Sequence, residues 1–140
     1  QQGITVTSKS PTQPYRIIYG TTRVGGTIAF AETTSDNDFL HLVIILAGHE
    51  VDDISEIYFN DHEVQLETSS NDSNGIPIFT PTSSDKYNGK AVIKKHFGDD
   101  NQLADAELVS AVTQWTTNHR LQGKAYVYVK LSFDSDVFLI

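Results

Sequence analysis

From Lys124 to Phe133 the side chains alternate without a break. Ala125, Val127, Val129, Leu131 and Phe133 point one way, and Tyr126, Tyr128, Lys130 and Ser132 the other. A period of two over ten residues fits a β-strand and no helix. It predicts a strand with an aliphatic core face and an opposite face that is half wet. Phe39 to Ala47 is apolar on both sides except at His41 and lies between an Asp-rich stretch and Gly48, which predicts a buried central strand.

Shorter signals fill in the rest. Thr27 to Glu32, with Ile28 and Phe30 on one side, follows Gly25-Gly26, and Arg16 to Tyr19 ahead of the glycines suggests its hairpin partner. Ile57-Tyr58-Phe59 and Val64-Gln65-Leu66 flank Asn60-Asp61-His62-Glu63, which reads as a second hairpin. Lys90 to Phe97 predicts a strand with Val92 and Ile93 at its buried centre, closed by Gly98. Asp105 to about Val112 alone has a helical rhythm, with Asp105 as N-cap, Glu107 in the first turn and Leu108, Val109 and Val112 as the apolar stripe. Thr68 to Tyr87 is dominated by Ser, Thr, Asn, Asp and Pro around Ile76, Ile78 and Phe79, and reads as a surface excursion with a short strand in its middle. The expected architecture is mainly β, α+β by strict count: a twisted β-sandwich or partly open barrel of about seven strands with one short helix.

At 140 residues the expectation is a single domain, 1–140. The longest apolar run, Leu42 to Ala47, is far short of the roughly 18 residues of a membrane span. With no cysteine there is no thiolate nucleophile, disulfide or Cys-based zinc site. Eighteen acidic against ten basic residues repel a phosphate backbone, so specific nucleic-acid binding is not expected. The opening Gln1-Gln2, the lack of Met and the apolar close Val137-Phe138-Leu139-Ile140 are read as those of a piece from a longer chain.

No constellation announces chemistry. His41, His49, His62, His96 and His119 never fall in a His-x-x-x-His or His-Glu-x-x-His pattern, and the expected role for each is a hydrogen-bonded structural or surface group rather than a metal ligand. Asp99-Asp100-Asn101-Gln102-Leu103-Ala104 opens like a calcium loop but puts Leu103 and Ala104 where an oxygen ligand and the turn glycine belong. No serine sits in a Gly-x-Ser-x-Gly elbow, and the glycines between Tyr19 and Gly26 fit a tight turn or close strand packing better than a phosphate loop. Neither catalytic residues nor a cofactor are expected. The residues expected at a partner-contact surface are Asn71, Asp72 and Tyr87 in the polar excursion and Tyr126 and Tyr128 on the wetter strand face.

Five blocks carry a family resemblance: Tyr19-Gly20-Thr21-Thr22-Arg23-Val24-Gly25-Gly26; Leu40 to Ile44 with Ala47-Gly48-His49-Glu50-Val51; Ile57-Tyr58-Phe59-Asn60-Asp61; His96-Phe97-Gly98 with Gln102-Leu103-Ala104-Asp105; and Trp115-Thr116 through His119-Arg120-Leu121-Gln122-Gly123 into Ala125 to Val129. In order and spacing they resemble the phage tip attachment protein J family, the central tail hub proteins of long-tailed phages and prophages. The resemblance runs from Tyr19 to Phe138. It implies a fragment of a larger hub protein, a homotrimer in full length, that closes the tail tube and contacts the distal tail and tape-measure proteins. It also implies location in the virion tail, reached by assembly in the host cytoplasm, with no membrane insertion by this domain. Where the family often has Pro after the residue matching Asp105, Ala106 stands here. Receptor binding in the family lies in an extension beyond the part matching Asp134 to Phe138, so it is not expected in this piece. Two functions are thus carried forward: a structural assembly module, whose acidity would let DNA pass a lumen without sticking, and a carbohydrate- or host-receptor-binding β domain.

Overall fold

The computed structural model describes residues 20, 24–34, 38–59 and 61–132. Its strands are β1 (Thr27–Thr34), β2 (Phe39–Ala47), β3 (Tyr58–Phe59), β4 (His62–Glu63), β5 (Leu66–Asn71), β6 (Pro77–Pro81), β7 (Ala91–His96) and β8 (Ala125–Ser132), with helix α1 (Ala106–Ala111) between the last two. Six strands form one antiparallel sheet in the order β1-β2-β8-β7-β6-β5, and β3 with β4 makes a small two-stranded sheet. The fold is mainly β and is not a closed barrel. The hairpin expected from Arg16 to Tyr19 lies outside the described residues.

The strand last in sequence occupies the middle of the sheet. β8 pairs with β2 on one side, Val43 opposite Tyr128, and with β7 on the other, Lys94 opposite Tyr128. Flanked on both edges and covered on both faces along its first part, Ala125 to Val129 are all buried. The expectation of a half-wet face fails at Tyr126 and Tyr128, which have no exposed surface, and holds at Lys130 and Ser132, which are partly exposed.

One face is aliphatic. Leu42, Ile44 and Leu46 from β2, Ile93 from β7 and Val127 and Val129 from β8 form a core closed by Ile54 and Ile57, which precede the small sheet. The other face lies under α1, where Leu108, Val112 and Trp115 pack on Val43, Ile45, Tyr126 and Tyr128. Gly26 runs so close to β2 that a methyl group there would collide with the Ile44 side chain, which gives the expected close strand packing.

Asp105 starts the helix as expected. Its carboxylate accepts from the backbone N–H of Glu107 and Leu108, satisfying two donors that a helix start leaves unpaired. The preceding connection is held by Gln102, whose Oε1 accepts from Gly98 N at 2.9 Å while its Nε2 donates to the carbonyls of Arg120 and Leu121. The Thr68 to Tyr87 stretch departs from expectation: most of it is the β5–β6 hairpin, which extends the main sheet. Leu66 likewise belongs to β5, and the second strand of the hairpin before it is His62–Glu63, expected as turn, in place of Val64-Gln65-Leu66.

Candidate functional site

Alternation along β7 places Lys94 and His96 on the face that carries Tyr126 and Tyr128 of β8, because Lys94 lies opposite Tyr128 and His96 opposite Tyr126. The start of α1 lowers Asp105 onto this row. Lys94 Nζ donates to Asp105 Oδ1 at 2.9 Å, and His96 Nε2 meets Oδ2 at 2.6 Å. A second carboxylate arrives from the β5–β6 turn, with Asp72 Oδ2 2.6 Å from the same ammonium. The other Asp72 oxygen, Oδ1, accepts from the backbone N–H of Asn74 at 2.8 Å and Ile76 at 2.9 Å.

The cluster is dry. Lys94 and Asp105 are fully buried, His96 is 4% exposed, and the Asp72 side chain is 7% exposed. Burial works against the charge of Asp105, yet the hydrogen bond and charge of His96 together with Lys94 outweigh it, so its carboxyl titrates below the usual carboxylate range. Asp72 behaves alike: burial opposes ionisation, and Lys94 with the Ile76 and Asn74 amides overcomes it. The two tyrosine hydroxyls are pushed well up, first by burial and then by nearby carboxylates.

Aromatic rings wall the cluster in. His96 stacks on Tyr126 with centroids 4.4 Å apart, and Lys94 Nζ sits 6.0 Å from the Tyr128 ring centre. The Tyr128 hydroxyl meets His41 Nδ1 at 2.7 Å, and His41 Nε2 meets Thr34 Oγ1 at 2.7 Å. Burial and the charge of Lys130 lower the His41 pKa, with Glu107 partly opposing. A row of polar and aromatic side chains thus runs beneath α1 from β1 toward the β5–β6 hairpin, its two hydrogen-bonded parts meeting where Lys94 faces the Tyr128 ring.

A second, smaller cluster holds the far side. Asp85 Oδ1 contacts His62 Nε2 at 2.9 Å and accepts from Gln65 N at 3.0 Å, while Oδ2 accepts from Tyr87 N at 2.9 Å. Tyr87 packs edge-on against Phe59, 5.2 Å between centroids, and is 2% exposed. These contacts fasten the β3–β4 hairpin to the turn before β7.

Of the five residues expected at a contact surface, the structure leaves Asn71 exposed at the end of β5 and takes the three tyrosines off the surface. Asp72 faces inward to Lys94, which joins it to the cluster containing Tyr126 and Tyr128, whereas Tyr87 belongs to the other cluster. Lys94, half of the one adjacent basic pair Lys94-Lys95, was not expected at a site, although a lysine beside Val92 and Ile93 in a strand was a visible signal. Among the described residues no three His, Asp or Glu side chains converge as a metal-binding group.

An open concavity of about 360 Å³ lies where the sheet extends past the helix, lined by Phe39, Glu67, Thr80, Asn88, Val92 and Lys130 among others. At its side Lys130 Nζ lies 4.6 Å from the Phe39 ring centre and donates to Glu107 Oε2 at 3.1 Å. Compared with protein-family models and with curated proteins, the chain matches none.

Proposed function

We propose that this domain is a structural assembly module of a bacteriophage or prophage tail tip, one part of the central hub that closes the tail tube. Its copies would meet one another around a threefold axis and engage distal tail and tape-measure proteins. The resemblance in five ordered blocks supports the reading. One structural observation carries it further: among the described residues β5 is the outermost strand of the sheet, its ladder partner is β6, and Glu67 to Asn71 are all exposed. A free strand edge is a ready place for a neighbouring chain to add a strand. The buried ion cluster behind it supplies rigidity, since charges that neutralise one another inside the domain fix the hairpin that presents the edge.

The test is to express the full reading frame containing this domain and to place charge on the edge with Thr68→Lys plus Ser70→Lys. Lysines on an outer strand block strand addition while leaving the fold intact. The expected result is loss of ring assembly, seen by electron microscopy and sedimentation, with an unfolding temperature close to that of the parent. Unchanged rings, or a reading frame without hub neighbours, would sink the proposal.

A second reading, carbohydrate or host-receptor binding, draws on the concavity, where the Phe39 ring lies among Glu67, Asn88 and Lys130. An aromatic face with hydrogen-bonding groups around it suits a sugar ring. Glycan-array binding that Phe39→Ala abolishes would favour it over the assembly role.

A further inference from the structure

We propose that Lys94 and Asp72 form an intramolecular amide bond, so that the β5–β6 hairpin is covalently tied to the centre of the sheet. The inference stands whatever partners the domain has. Lys94 is a fully buried lysine between two carboxylates, 2.6 Å from Asp72 Oδ2 and 2.9 Å from Asp105 Oδ1. With Oδ2 at 2.6 Å the Asp72 carboxyl lies directly against the amine, and such proximity removes much of a reaction barrier.

The two oxygens of Asp72 are in different settings. Oδ1 is held by the Asn74 and Ile76 amides, an arrangement suited to negative charge building up on that oxygen. Oδ2 is buried and faces the Lys94 ammonium, with no other hydrogen-bonding partner among the described residues. Asp105 is the second carboxylate such a step needs, and its far oxygen is fixed by His96 at 2.6 Å.

The chemistry balances within these groups. A proton passes from Lys94 Nζ to Asp72 Oδ2, converting ammonium and carboxylate into amine and acid. The Nζ lone pair attacks Asp72 Cγ, and charge moves onto Oδ1. Asp105 accepts a second proton from Nζ and returns it to Oδ2, which departs as water. The Nζ–Cγ bond forms, the Cγ–Oδ2 bond breaks, nothing is oxidised or reduced, and Asp105 ends as it began. The product replaces a buried ion pair, costly to desolvate, with a neutral amide and a released water.

The bond falls where the sheet is least secured by its own ladder. β7 pairs with β8 over six register positions, whereas β6 meets β7 at the single pair Phe79 and Ile93. A link from the β5–β6 turn to Lys94 closes this seam and restricts the unfolded chain.

Intact-mass spectrometry of the denatured, purified chain tests the proposal. The expected mass is below that of the sequence by one water, and trypsin should release Val24–Lys86 joined to Ala91–Lys95, with cleavage blocked at Lys94. Asp72→Ala keeps the Lys94–Asp105 pair, so it should fold, show the full mass and unfold at lower temperature. Asp72→Asn should close the same bond with loss of ammonia in place of water. Ammonia lost from Gln1 is separated by its peptide. A full-mass parent chain after prolonged incubation at physiological temperature and neutral pH would overturn the proposal, as would water loss mapping to a peptide that lacks Lys94.

Discussion

The two faces of the central sheet solve the burial problem in opposite ways. On one, Leu42, Ile44, Ile93, Val127 and Val129 pack in a hydrophobic cluster, and their stabilisation scales with apolar area removed from water. On the other, the same strands place His41, Lys94, His96, Tyr126 and Tyr128 beneath the helix, where every charge must find its opposite or its desolvation is uncompensated. The aliphatic face tolerates a range of shapes. The polar face tolerates one arrangement, because Asp105 is at once helix cap, partner of Lys94 and partner of His96. The difference teaches that specificity and stability are divided between the faces: oil holds the sheet together, and the ion row decides where the helix and the outer hairpin dock.

Breaking the polar face should have the largest effect. Asp105→Ala removes a buried partner and leaves Lys94 with Asp72 alone, a loss of about 3–5 kcal/mol, with the lost helix cap adding about 1 kcal/mol. Urea unfolding measures it, and a loss no greater than that of an exposed cap would contradict the division of labour. The same face should make the protein acid-sensitive. His41 has its pKa lowered in the fold, so its contribution is complete above its ordinary value of about 6.5 and is lost as pH falls through the folded value. Asp105 is held below the usual carboxylate range, so its contribution is present above about pH 4 and is lost below it. Stability measured from about pH 7 to about pH 3 should therefore fall in two stages. Asp105→Ala, which removes this carboxylate, should flatten the second.

An intermediate effect is expected on the aliphatic face. Ile44→Val deletes one methylene from a site that is 1% exposed, at a cost of about 0.5–1.5 kcal/mol. The decisive feature is its pH dependence: the cost should be constant across the range in which the parent loses its ion row. A cost that changes with pH would show the two faces to be coupled.

How much of this could be read from the sequence follows the same division. The strand at Ala125–Ser132, the buried run of Phe39 to Ala47 and the cap at Asp105 were legible, because periodicity and capping are local properties. Alternation assigns Tyr126 and Tyr128 to one side of a strand, but whether that side is wet depends on a helix that starts twenty residues earlier. Polarity misled at Thr68 to Tyr87, where pairing with β7 draws a Ser- and Thr-rich hairpin into the sheet despite its composition. The ion row was invisible for a third reason: Asp72, Lys94 and Asp105 come from a turn, a strand and a helix start, and only the topology brings them within bonding distance.

The smallest expected effect lies where the polar face runs out from under the helix. Glu107 and Lys130 form an ion pair at 3.1 Å, on the same face as Lys94, but their side chains are 27% and 26% exposed. Water already solvates both charges, so neither pays the desolvation that makes the loss of Asp105 severe. Glu107→Gln should cost about 0.5 kcal/mol from the pair, with a few tenths more, about 0.3 kcal/mol at least, from the helix-start dipole. Most of that should vanish in about 1 M salt, where screening acts within a few ångströms. An effect as large and as salt-insensitive as that of Asp105→Ala would mean that position on the face, and not exposure to water, sets the energy of each pair. A small, screened effect would leave dryness as the property that separates the interior of the ion row from its end.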